Sequence, residues 1–111
     1  MALGALEVRV SPRVAEAERS LDSTQRKKLG WWYGRLKDNA FAGDQIPKDR
    51  IPVVLAARSG LPGSLTNAWR FELPGAYRAV YTVQPGAARR PIVLVLEVLS
   101  HKEYDRIFGY R

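Results

Sequence analysis

Three short stretches of the chain hold the residues able to do chemistry. The first, "SHKEY" at 100–104, contains His101, the only histidine of the protein, followed by Lys102 and Tyr104. An imidazole with an ordinary pKa of about 6.5 takes up and releases protons near neutrality. His101 therefore suits general acid or base duty, and it suits equally well a hydrogen-bonding role at the end of a strand. Lys102 is either an anion-binding cation or a solvated residue at a helix start. The second stretch, "AYRAVY", carries Arg78, whose planar guanidinium presents paired donors to a phosphate or to a neighbouring carboxylate. The third, "AWRFEL", carries Arg70 and Glu72. Glu72 is a base or an ion-pair partner of either arginine.

Composition narrows the classes open to such residues. The chain has 111 residues and no cysteine, which fits one domain and excludes disulfide scaffolds, thiol catalysis and cysteine-ligated zinc. A single histidine leaves too few nitrogen ligands for a dedicated transition-metal site, so neither a metal nor a cofactor is expected. No apolar run approaches the roughly 20 residues of a membrane helix, and "MALGALEVRV" lacks a secretory pattern. A cytoplasmic protein without membrane association is expected. The net charge of +7 points to a polyanion or an acidic protein as partner.

The elements that must position these residues follow from periodicity. "LEVRVSP" alternates Leu6, Val8 and Val10 against Glu7 and Arg9, the pattern of a short half-buried strand. Ser11 before Pro12 starts a helix over "RVAEAERSL", and "DST" at 22–24 caps a second one over "TQRKKLGWWYGRLKDN". In that helix Leu29, Trp32, Tyr33 and Leu36 form one apolar stripe. Arg26, Lys27, Lys28, Arg35 and Lys37 make a basic outer face, either solvated or in contact with nucleic-acid phosphates. Trp31 faces away from the stripe and is the tryptophan expected at the surface, while Trp69 is expected to point inward. Gly30 and Gly34 suggest close backbone approach to a neighbour, and Asn39 is a candidate C-cap.

"AFAGDQIPKDRIP" reads as a connector, "VVLAARS" as a short helix or strand, and "GLPGSLTN" as loop. Three strands follow, "AWRFEL", "AYRAVYTV" and "PIVLVLEVL", separated by Pro-Gly turns. The last is nearly continuously apolar, as strands covered on both faces are. Ser100 then caps a short helix, "HKEYDRIF". The expected fold is α+β: an N-terminal strand and helical hairpin packed on one face of a small, mainly antiparallel sheet, with a short C-terminal helix. If the first Pro-Gly turn is the three-residue loop Leu73-Pro74-Gly75, Arg70 sits opposite Arg78 on one sheet face. A two-residue loop would separate them. The first register is expected.

"WRFELPGAYRAVYTV" followed by "VLVLEVLSHKEYDRIF" resembles the RelE/ParE superfamily of type II toxins. The matching residues are Tyr77, Arg78 and Tyr81 of a Tyr-Arg-x-x-Tyr strand, then His101, Lys102 and Tyr104 after the apolar strand. The order of elements agrees over almost the whole chain, while the specific residues lie within 69–108. The resemblance implies a ribosome-dependent mRNA endoribonuclease acting without metal and held inactive by a cognate antitoxin. One branch of the superfamily inhibits DNA gyrase instead and is not a nuclease. The alternative is therefore a non-nuclease binding module, gyrase-directed or catalytically inactive, that engages an antitoxin or RNA. Oligomeric state is left open, a toxin–antitoxin heteromer being one form.

Under that resemblance the residues take roles. RNA cleavage needs a base at the 2′-hydroxyl, a cation at the phosphate and an acid at the leaving oxygen. Arg78 is the first choice for the phosphate, with Arg70 and Lys102 as further cations and His101 as proton carrier. Tyr104 either stacks on a splayed base, takes part in proton transfer or packs on Phe108. The basic helix face would meet ribosomal RNA, and Trp31 the antitoxin. Two departures stand out: Glu72 lies where active relatives have a lysine, and Phe108 where some have a catalytic tyrosine. Either Tyr104 or Tyr110 then supplies the missing hydroxyl, or the activity is reduced.

Overall fold

In the computed structural model, which describes residues 3–109, alternating and apolar strands build one five-stranded sheet ordered β1-β5-β4-β3-β2. The strands are β1 (Glu7–Val10), β2 (Asp44–Gln45), β3 (Trp69–Leu73), β4 (Tyr77–Gln84) and β5 (Ile92–Leu99). All neighbours are antiparallel except β1, which runs parallel to β5. The helices are α1 (Pro12–Glu18), α2 (Ser23–Asp38), α3 (Val54–Arg58) and α4 (His101–Phe108). "VVLAARS" is thus helical at its centre, and β2 arises inside the connector.

Capping chemistry fixes the helix starts. The Ser11 hydroxyl accepts from Val14 N at 3.2 Å and donates to Leu96 O at 2.7 Å. Leu96 is the extra residue of a β-bulge, since the register steps from Val80–Glu97 to Tyr81–Val95. Asp22 with Gln25, and Ser100 with Glu103, form capping boxes. Gln25 also donates from Nε2 to Pro74 O at 2.9 Å, tying the start of α2 to the β3–β4 turn.

Two cores result, one on each sheet face. Leu29 and Leu36 of α2 and Val14 of α1 pack with Phe71, Ala79, Tyr81, Val93 and Val95. Leu55 of α3 and Tyr104 of α4 pack with Val80 and Leu99 on the opposite face. The helices therefore cover both faces, not the single face expected. The burial of consecutive residues, Ala79–Thr82 in β4 and Val95–Leu99 in β5, requires this, because adjacent residues such as Ala79 and Val80 point to opposite sides. Trp31 is 53% exposed, and Trp69 packs beside the first core, as expected. Leu6 and Val10 remain exposed because β1 is an edge strand; only Val8 packs inward. Tyr81, fully buried, has its phenol pushed up to about 12, chiefly by burial, and its hydroxyl accepts from Gly43 N.

Gly30 and Gly34 make no close approach to another element: an added Cβ at either meets nothing within 4 Å. Asn39 does cap α2, with an extended backbone. Gly30→Ala should therefore raise stability by about 0.5–1 kcal/mol, because alanine removes backbone freedom from the unfolded chain without a clash. Urea unfolding checks this, with the midpoint rising at unchanged slope.

Candidate phosphate-binding site

The β3–β4 turn places the candidate cations. Its loop is Pro74-Gly75-Ala76, with Leu73 paired to Tyr77. Gly75 adopts φ 77°, a left-handed value that suits glycine. Glu72 is thereby opposite Arg78, and Arg70 is opposite Val80. Arg70 and Arg78 share a sheet face, as expected, but lie diagonally; the residue directly across from Arg78 is Glu72. That face is the one covered by α4.

Tyr104 lies at the centre of the group. It is fully buried, and its ring stacks on Phe108 with centroids 4.2 Å apart. Arg70 Nη1 donates to the Tyr104 hydroxyl at 3.0 Å. The Arg78 guanidinium lies 4.7 Å from the centre of the same ring, and that of Arg70 5.8 Å. Two guanidiniums thus converge on one aromatic ring, held by cation–π attraction. Glu72, 70% exposed, reaches Arg78 only at 4.0 Å, a weak surface pair. The Arg78 side chain retains 22% of its accessible surface, so one edge of the cluster faces solvent.

His101 and Lys102 open α4 and are both exposed. His101 Nε2 lies 3.1 Å from Asp105 Oδ2, one helical turn on. His101 therefore stands at the solvent side of α4 with a carboxylate beside it, while Tyr104 turns inward. Tyr110 lies outside the described residues.

The basic face of α2 is a separate surface. Arg26, Lys27, Lys28, Arg35 and Lys37 are all exposed, but α2 lies on the other side of the sheet from Arg70 and Arg78. The two groups cannot grip the same phosphate. Arg26 is occupied with the end of α1, donating to Glu18 O and Arg19 O at 3.1 Å each. Lys28 Nζ sits 4.0 Å over the Trp31 ring. Lys27, Arg35 and Lys37 remain directed outward.

A further ionic cluster was not read from the sequence. Glu97 of β5, 3% exposed, takes Arg58 Nε at 2.7 Å and Arg13 Nε at 3.1 Å. The available signal was a lone glutamate inside an otherwise apolar strand, which must find cations when buried. No family model, curated protein or solved structure matches this chain. Among the described residues no helix is long and apolar enough to cross a membrane.

Proposed function

We propose that this protein is a toxin of the RelE class, an endoribonuclease that cuts mRNA on the ribosome and is silenced by a cognate antitoxin. The observation that carries the reading is the convergence of Arg70 and Arg78 on Tyr104 beneath the start of α4. That arrangement holds a pair of guanidiniums in fixed orientation, as stabilising a phosphate in flight requires. His101, exposed at the first turn of α4, then takes the proton transfers, and Lys102 beside it is a further cation for the phosphate. Arg70 acts through the Tyr104 hydroxyl to keep the cluster aligned.

A second reading, the non-nuclease binding module, draws on a specific feature. Tyr104 is buried and already bonded to Arg70, and Phe108 brings no hydroxyl, so no tyrosine among these residues is presented to a substrate. The test is addition of purified protein to a translating extract, with primer-extension mapping of mRNA ends. The nuclease reading predicts new ends within codons, only on translated messages. Intact mRNA together with gyrase-dependent DNA breaks would replace it with the gyrase-directed reading.

A further inference from the structure

The end of the sheet away from the β3–β4 turn carries a groove of about 630 Å³ lined by Leu3, Phe41, Gln45, Trp69, Pro85 and Arg89, among others. Six residue steps of extended strand separate Arg78 from Gln84 beside the groove, roughly 20 Å, so it is distinct from the Tyr104 cluster. Phe41 is 40% exposed, and its ring leans on Trp69 with centroids 5.3 Å apart. The groove wall thus offers an open aromatic face on a rigid support. The indole N–H of Trp69 is buried with no acceptor among the described residues.

Its charge is one-sided, with two arginines in the lining and no carboxylate. Arg90 is engaged, donating from Nη2 to Ala5 O at 3.0 Å. Arg89 is exposed and makes no ion pair among the described residues. It sits in a β4–β5 loop where Ala88 and Arg89 both hold left-handed φ values of 55° and 60°. Consecutive non-glycine residues in that region are strained, and such strain gathers at binding sites. The groove also continues a basic surface. Ala40 N donates to Leu3 O and Ala5 N to Leu36 O, which sets Leu3 against the last turn of α2, where Arg35 and Lys37 face outward.

An added peptide strand finds no free edge on β4 here. The Asn67 side chain accepts from Val83 N at 2.8 Å and donates to Val83 O at 2.9 Å, closing that position to strand addition. An aromatic shelf, an outward arginine and a basic helix end together suit a different ligand. We infer that this groove holds one unstacked base of a single-stranded nucleic acid. The base lies against Phe41, its phosphate meets Arg89, and flanking phosphates meet Arg35 and Lys37. This inference is independent of the cleavage reading, since a cleavage-dead protein retains the groove.

The experiment is fluorescence anisotropy with a labelled single-stranded RNA octamer, the same octamer lacking its bases, and a matching duplex. Phe41→Ala should weaken binding to the intact octamer about tenfold with the salt dependence unchanged, and Phe41→Trp should retain it. Arg89→Ala should lower the salt slope by about 0.7. On the baseless octamer Phe41→Ala should have no effect. Equal affinity of Phe41→Ala and the parent protein would overturn the inference. So would an equal loss on the baseless octamer, tighter binding of the duplex, or no binding of the octamer at low salt.

Discussion

Under the proposed nuclease reading, Arg78→Ala is expected to reduce cleavage of translated mRNA by about 10²–10³-fold, the loss seen when one preorganised donor to a transition-state oxyanion is removed. The expectation rests on geometry. Arg78 is held by the Tyr104 ring at 4.7 Å and has only a distant carboxylate, Glu72 at 4.0 Å. Its donors are therefore not consumed by a strong ion pair. Arg78→Lys should recover only part of the activity, because an ammonium is a point charge without the paired donors. Tyr104→Phe separates positioning from charge: it deletes the acceptor of the Arg70 bond but keeps the ring that carries Arg78 and stacks on Phe108. Its effect should be roughly tenfold or less, on the scale of one hydrogen bond to a charged group. Glu72→Gln then decides the role of Glu72. A side chain serving only as a surface partner of Arg78 leaves activity within about twofold, whereas a general base loses it. Primer extension on one reporter message, with circular dichroism to show each variant folded, measures the whole series. An Arg78→Ala protein that cleaves as well as its parent would remove Arg78 from the phosphate-stabilising role.

The parts legible in the sequence are those with local causes. Ser11, Asp22 and Ser100 each precede a helix that they do cap, because N-cap chemistry depends on a few adjacent residues. The stripe Leu29, Trp32, Tyr33 and Leu36 does face the sheet, since helical periodicity alone decides it. Sheet pairing is longer-ranged and was only half legible. The loop of three residues kept Arg70 and Arg78 on one face, but it starts at Pro74, so each β3 residue pairs two positions away from the expected register. β2 has two residues and a weak pattern of its own; it exists because Asp44 and Gln45 pair with Arg70 and Trp69. The second core was implied by the continuous apolar run of β5, which needs cover on both sides. Its cover, α3 and α4, is short, and in α4 it is the stripe Tyr104, Ile107 and Phe108 that packs there, of which only the pair Tyr104 and Phe108 was expected as one alternative. That stripe also explains why Tyr104 is a packing centre and a hydrogen-bond acceptor at once. One buried ring orders both arginines, so core and candidate site share a residue.

The second large effect is expected at Glu97, away from that site. Its carboxylate is almost fully buried and answers two arginines, one from α1 and one from α3. Removing one member of a buried ion pair costs about 3–5 kcal/mol, because the partner's charge stays desolvated. Here the remaining charges differ in their escape. Arg13 is 44% exposed and can turn to water, whereas Arg58 is 22% exposed. Glu97→Ala should therefore fall near the lower end, about 3 kcal/mol. At roughly 4 °C or more per kcal/mol for a domain of this size, the midpoint of thermal unfolding should drop by at least about 12 °C. Arg13→Ala should cost under about 1 kcal/mol, since Arg58 still neutralises Glu97 and the lost contact is half in solvent. Arg58→Ala should lie between, because it removes the closer, more buried partner. Replacing Glu97 by leucine and Arg58 by methionine together should restore much of the loss, as apolar substitutes for a buried ion pair often do. Calorimetry on the four variants orders them. A Glu97→Ala protein as stable as its parent would mean that both arginines reach solvent when released, and that the cluster holds neither α1 nor α3 to the sheet.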